Sequence, residues 1–214
     1  MKITSLQSVE ALGNLICYYN SDLSYITYFH NFKNGKITAT EYLRNKKSGF
    51  RQFLIEYKVA RNVKNNEELM LFTKKWVLKE NPLDVDKFAL ALKKEGITQD
   101  GKIMTSLASK ILFLNNPEII IPIDTLNKRA VGQKLNIYSE FKIKVDLFIA
   151  ENKNMIEKYL NSVAPLLSEV EVNFKSMNIG FKKYRFTRFV DKLLWTKGKI
   201  KNNANQALRP DPHG

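Results

Sequence analysis

The chain has 214 residues, of which 44% are hydrophobic and 11% aromatic. That is enough apolar material for a packed core, and too much for a disordered chain. The formal charge of +14 favours an anionic partner, nucleic acid or an acidic membrane surface, although abundant Lys, Asn and Ile would also follow from an AT-rich genome. The single cysteine, Cys17, excludes an internal disulfide and any cysteine-ligated metal or iron–sulfur centre.

With only 9 Gly and 6 Pro and few strict apolar–polar alternations, the expected fold class is all-α, with about nine or ten helices. The N-terminal stretch has no unbroken apolar core of signal-peptide length, because Glu10 interrupts it. No apolar run approaches a membrane span. These features lead us to expect a cytoplasmic protein, nucleoid-associated if bacterial, with no metal, no cofactor and no membrane partner.

In chain order, Leu6, Val9, Leu12, Ile16 and Tyr19 recur at helical period. Ser21-Asp22 then reads as the start of a second helix carrying Tyr25, Tyr28, Phe29 and Phe32 as a core stripe. His30, the only histidine outside the C-terminal tail, has no partners in sequence for a metal site. Asn34-Gly35 marks a turn. A helix beginning at Thr40-Glu41 is expected to break at Ser48-Gly49 and resume over 50–63. Arg44, Lys46, Lys47, Arg51, Lys58, Arg61 and Lys64 make this region basic.

Residues 65–80 read as a helix stopped by Asn81-Pro82. Asp84 caps the next, and Gly96 ends it. After Arg129, helices are expected over 139–153 and 154–170, with Pro165 either bending the second or lying near its end, and over 183–196. Lys182, Lys183, Arg185, Arg188, Lys192, Lys197, Lys199 and Lys201 crowd the region of the last helix, the densest basic segment. Residues 202–214 are polar and pattern-free. They look like a flexible, vector-derived tail. The rest, 1–201, is expected to form one unit, with 40–135 and 1–39 plus 136–201 as candidate subdomains.

The stretch 105–129, TSLASKILFLNNPEIIIPIDTLNKR, concentrates the chemistry. A helix with Met104, Leu107, Ala108, Ile111 and Leu114 as its buried stripe ends at Asn115-Asn116-Pro117. Ser106, Ser109, Lys110 and Phe113 lie off that stripe. Gly101, Lys102, Thr105, Ser106 and Lys110 form a candidate phosphate site, because backbone N–H groups and the helix dipole favour an anion at a helix N-terminus. A short apolar run, 119–123, then delivers Asp124 to the next helix, where Lys128 and Arg129 follow. A carboxylate held this way can act as a general base or stabilise a cation. It can equally be an N-cap that accepts a bond from a backbone N–H.

This order of hairpin, helix, proline-containing apolar loop, aspartate and helix resembles the helix–hairpin–helix DNA glycosylase superfamily, the endonuclease-III-like group. The resemblance covers about 30 residues, 100–131. It implies a helix–hairpin–helix fold and double-stranded DNA as partner. It also implies hydrolysis of the N-glycosidic bond of a damaged or modified base, with Asp124 as the catalytic carboxylate. Ser106 falls where bifunctional members carry a lysine, so the resemblance implies a monofunctional enzyme. Gly101, Lys102, Thr105, Ser106, Lys110, Lys128 and Arg129 would contact DNA. Ala108 matches the small residue that lets the hairpin helices pack closely. The family's second hairpin glycine is replaced by Met104, and its iron–sulfur cysteines are absent. The alternatives are a catalytically silent nucleic-acid-binding relative and an all-α protein-interaction module.

Overall fold

The computed structural model describes residues 2–79 and 83–207, with side chains through Lys199. Among the described residues the fold is all-α. It contains nine α-helices and no strand, only an isolated antiparallel bridge between Val63 and Thr98. One hydrophobic cluster runs from Ile3 to Leu194.

The first helix, α1 (Ser5–Lys33), is a single 29-residue element rather than the two suggested by Ser21-Asp22. The would-be breakers are satisfied inside the helix. Ser21 donates to Tyr18 O and Ser24 to Asn20 O, at 3.0 and 2.9 Å, so their hydroxyls do not compete with the backbone ladder. Asp22 is buried and ion-paired with Arg188. Thr4 and Gln7 close a capping box at the start of α1.

Next come α2 (Ala39–Arg44) and α3 (Phe50–Glu56). The latter stops well short of residue 63. Lys58, at φ 57°, reverses the chain, with Val59 N bonded to Leu54 O and Lys58 N to Ile55 O. This paired closure requires a left-handed residue, which is normally glycine. Gly96 performs the same closure at the end of α5.

The helices α4 (Asn66–Val77) and α5 (Val85–Lys94) are capped by Asn65 and Asp84. The stop expected at Asn81-Pro82 lies outside the described residues. Asp86, in the first turn of α5, also accepts from Tyr138 N and Ser139 N, at 2.8 and 3.0 Å. It thereby satisfies orphan donors at the start of a distant helix.

Two short elements follow, α6 (Thr105–Asn115) and α7 (Thr125–Ala130). The pair of helices expected over 139–170 is one 34-residue helix, α8 (Tyr138–Glu171), with Pro165 inside it. The last helix, α9 (Phe181–Ala207), passes the expected end near 196 and takes in the first part of the expected tail. Residues 208–214 lie outside the described residues.

The long helices α1, α8 and α9 pack on one another, α5 packs on α6, and α7 lies on α9. The α7–α9 approach is very close. A Cβ built at Gly198 would sit 2.2 Å from Leu126 O, a backbone atom that cannot step aside. Gly198→Ala is therefore expected to destabilise the fold by about 1–3 kcal/mol through overpacking. The check is the urea midpoint, which should fall at unchanged m-value.

Candidate functional site

The helix α6 is buried almost all round. Ser109 and Phe113, expected off the buried stripe, are as inaccessible as Leu107, Ala108 and Ile111. The reason is the segment that follows. After Pro117 the chain turns back along α6 as an extended strut, and its backbone groups are satisfied by side chains. Tyr138 Oη both accepts from Ile121 N and donates to Ile121 O, each at 3.1 Å. Ser109 Oγ accepts from Ile123 N at 3.0 Å. Ile120, Ile121 and Ile123 are buried, whereas Ile119 is exposed.

The strut delivers Asp124 as the N-cap of α7, where its Oδ1 accepts from Asn127 N at 2.8 Å. The capping geometry is thus realised. Asp124 as a residue is half-buried. Burial pushes its pKa up, against the pull of the Asn127 bond, while Asp191 pushes it further and the Lys110 ammonium draws it down.

Beneath α7 lies a polar network that couples four parts of the chain. Arg188 in α9 donates from Nε to Asp22 Oδ2 at 2.6 Å, from Nη1 to Asp191 Oδ2 at 2.5 Å and from Nη2 to Tyr57 Oη at 3.0 Å. Tyr57 Oη donates in turn to Asp22 Oδ1 at 2.7 Å. Asn127 Nδ2 donates to Asp191 Oδ1 and to Pro122 O, at 2.7 and 2.8 Å, which ties the strut and α7 to α9. The guanidinium also lies over the rings of Phe113 and Tyr57. Burial opposes the Arg188 charge, but Asp22, Tyr57 and Asp191 outweigh it, and the guanidinium stays protonated. Removing one partner of such a network strands the others, at a typical cost of about 3–5 kcal/mol.

Two lysines flank this cluster. Lys110 donates to Tyr57 O at 2.9 Å, and Lys192 lies 4.6 Å from the centroid of the Tyr18 ring. Burial lowers the pKa of both, and both interact electrostatically with Asp124 and Asp191.

The residues expected to contact phosphate divide into two sets. At the α5–α6 turn, Asp100 and Gly101 are both left-handed, at φ 55° and 58°. Thr98 Oγ1 spans the turn to Lys102 O at 2.9 Å. Gly101 and Lys102 are exposed, and Met104 supplies no side-chain cap to α6. Ser106 is partly exposed. Thr105 and Lys110 correct the sequence expectation. The Thr105 hydroxyl is buried and donates to Asn136 O at 2.7 Å. The Lys110 ammonium is spent on Tyr57 O. Both are drawn inward by unsatisfied carbonyls. Lys128 donates to Lys134 O and to Asn136, the residue that also receives the Thr105 bond, and Arg129 donates to Gly198 O.

The C-terminal basic run is likewise less superficial than its composition suggests. Arg188 is buried, Arg185 pairs with Glu171, Lys197 donates to Lys2 O and Lys199 lies over Trp195. Only Lys182 and Lys183 in that run stand fully exposed among its described side chains.

The earlier run behaves differently. Arg44, Lys46, Lys47, Arg51, Lys58, Arg61 and Lys64 are all exposed. The Val63–Thr98 bridge, the Lys64 N to Ile97 O bond and the Gln99 Nε2 to Val63 O bond seat 58–64 beside the hairpin turn. Lys64 therefore lies beside the turn that carries Lys102, with Lys58 and Arg61 exposed on the segment leading to it, and Lys102 itself pairs with Asp100 at 3.3 Å.

Sequence reasoning missed Asp22, Tyr57, Asn127 and Asp191, and read Arg188 as part of a basic surface. The usable signal was Asp191, an acid set three residues from Arg188 on the apolar stripe Tyr184–Leu194 of a basic helix. No protein-family model, curated protein or solved structure matches the chain.

Asp124→Asn should keep the fold, because Asn caps as well as Asp. The raised pKa means that the folded state binds a proton at Asp124 more readily than the unfolded state does. This group's contribution is thus most favourable at low pH and is lost as pH rises through its folded pKa. The variant should match or exceed the parent in urea midpoint at pH 7, and the difference should shrink as pH falls toward 4. Urea titrations across that range provide the check.

Proposed function

We propose that the chain binds nucleic acid, duplex DNA in particular, through the α5–α6 hairpin and the basic rim beside it. The observation that carries this reading is the Val63–Thr98 pairing. It sets the exposed Lys64 next to the left-handed Asp100-Gly101 turn and Lys102, with Lys58 and Arg61 exposed on the segment leading to it. A turn of this kind, leading into a helix with no side-chain cap, offers backbone donors to a phosphate, and the rim supplies charge along the adjoining backbone. The resemblance of 100–131 to the helix–hairpin–helix group agrees with this use of the turn.

Charge reversal at Arg61, Lys64 and Lys102 together should weaken duplex binding strongly. It should also flatten the plot of log K against log salt by about 0.9 for each phosphate that is no longer neutralised. Fluorescence anisotropy at several salt concentrations measures both. A parent protein that fails to bind duplex even at low salt sinks the reading and leaves an all-α protein-interaction module in its place.

A second reading, monofunctional base excision, is favoured by the half-buried Asp124, held rigidly at the head of α7 and interacting electrostatically with Lys110 and Lys192. In it the target base leaves the stack, and Asp124 stabilises the cationic sugar or activates water. Ser106, at the position of the family's lysine, makes no Schiff base. Duplexes carrying uracil, alkylated bases, 8-oxoguanine or mismatches are the substrates to screen for base release. Asp124→Asn should abolish release from any productive duplex while leaving its affinity within about twofold, since an interaction made only in the transition state does not contribute to ground-state binding. Unchanged release by that variant eliminates Asp124 as the catalytic group.

A further inference from the structure

A cleft of about 330 Å³ lies where the C-terminal ends of α1 and α6 meet the turn before α9. It is one and a half helical turns beyond Lys110, roughly 7.5 Å along the α6 axis, and neither the hairpin nor Asp124 lines it. Its volume is at the lower end of the range for small-molecule sites.

The lining has a distinctive chemistry. Four asparagines, Asn34, Asn115, Asn116 and Asn178, contribute amides. Pro117, Ile119 and Ile179 contribute apolar wall, and Ile119 is about half exposed. Its two ionised side chains are paired within the cleft or at its edge. Lys33 donates to Asn115 Oδ1 at 2.8 Å, and Glu118 accepts from Gly180 N. Burial pushes His30 down to about 4, so its ring is neutral at pH 7. Its Nε2 lies 3.3 Å from Asn115 O. The two helices present their negative ends here, which disfavours an anion and favours a ligand that brings N–H donors.

We infer that this cleft binds a nucleobase: a neutral, planar heterocycle whose edge carries adjacent donors and acceptors. Amide side chains match such an edge with paired hydrogen bonds, as asparagine does with adenine. Branched apolar side chains cover the faces of a ring that has left water. A phosphate or carboxylate would meet two helix C-termini and Glu118, against the one ammonium of Lys33, which Asn115 Oδ1 already holds. The base can come from a free nucleoside or from an unpaired position in a strand. The inference does not depend on the hairpin reading.

The test is a titration of the full chain with adenosine, guanosine, cytidine, thymidine and short single-base oligonucleotides. The His30 ring and the asparagine amides are followed by NMR, with inorganic phosphate as the control probe. At least one nucleoside or oligonucleotide is expected to give saturable shifts at cleft residues. Saturation by an oligonucleotide alone identifies the source as a base within a strand.

The variant Asn34→Ala/Asn178→Ala changes two exposed side chains that stand outside the core. It should lose about tenfold in affinity, the worth of one paired base contact, with its helical circular dichroism unchanged. The variant Lys102→Glu, which impairs the hairpin, should bind the nucleoside as the parent does. Absence of saturable shifts, shifts reproduced by phosphate alone, or parent-like affinity in the asparagine variant would each overturn the inference.

Discussion

The whole structure depends on one charge held without water. Arg188 sits between Asp22 and Asp191, with Tyr57 closing the third side. Its partners come from α1, the end of α3 and α9 itself, and Asn127 extends the network into α7. A guanidinium suits this position because its donors leave in fixed directions, and each of its three nitrogens meets an acceptor. Apolar packing alone would let the long helices slide along one another. A buried ion network has a single satisfied arrangement, and here that arrangement sets the register of α1 against α9. Stability at this point is a smaller gain than uniqueness, since desolvation consumes much of the Coulomb attraction.

The same network explains how a short, polar segment can be placed with accuracy. The helix α7 has only six residues, too few to hold itself together in water. It is fixed from outside by its Asp124 cap, by the Asn127 amide and by its backbone contact with Gly198. The strut before it has no regular partner strand either, yet Tyr138 and Ser109 satisfy its backbone. Side chains from distant helices thus do for this segment what a sheet does elsewhere, and Asp124 inherits their rigidity.

Much of the helical frame was legible in the residues. The caps at Asp84 and Asp124, the left-handed stop at Gly96 and the strut of isoleucines all lie where local chemistry put them. The errors share one cause. Ser21-Asp22 read as a helix start, Thr105 and Lys110 as phosphate ligands, and the C-terminal lysines and arginines as a surface. In each case a polar side chain has an internal partner that its neighbours in sequence do not announce. Local sequence reports which groups need partners, and it does not report when a helix 166 residues away will provide one, as α9 does for Asp22. Lys58 was illegible for a different reason. A left-handed lysine has no compositional signature, and only the closure around it shows why α3 ends there.

Gly198 and the basic rim impose opposite kinds of constraint on the sequence. Where α7 meets α9, the spacing between two backbones is smaller than any β-carbon permits, so a single residue type satisfies the position. Around Lys58, Arg61 and Lys64 the side chains project into solvent, and several basic sequences would serve equally well there. A chain built like this one can therefore exchange most of its surface charges one at a time without disturbing its interior, while any side chain added at the contact that seats Asp124 pushes directly on the backbone of α7.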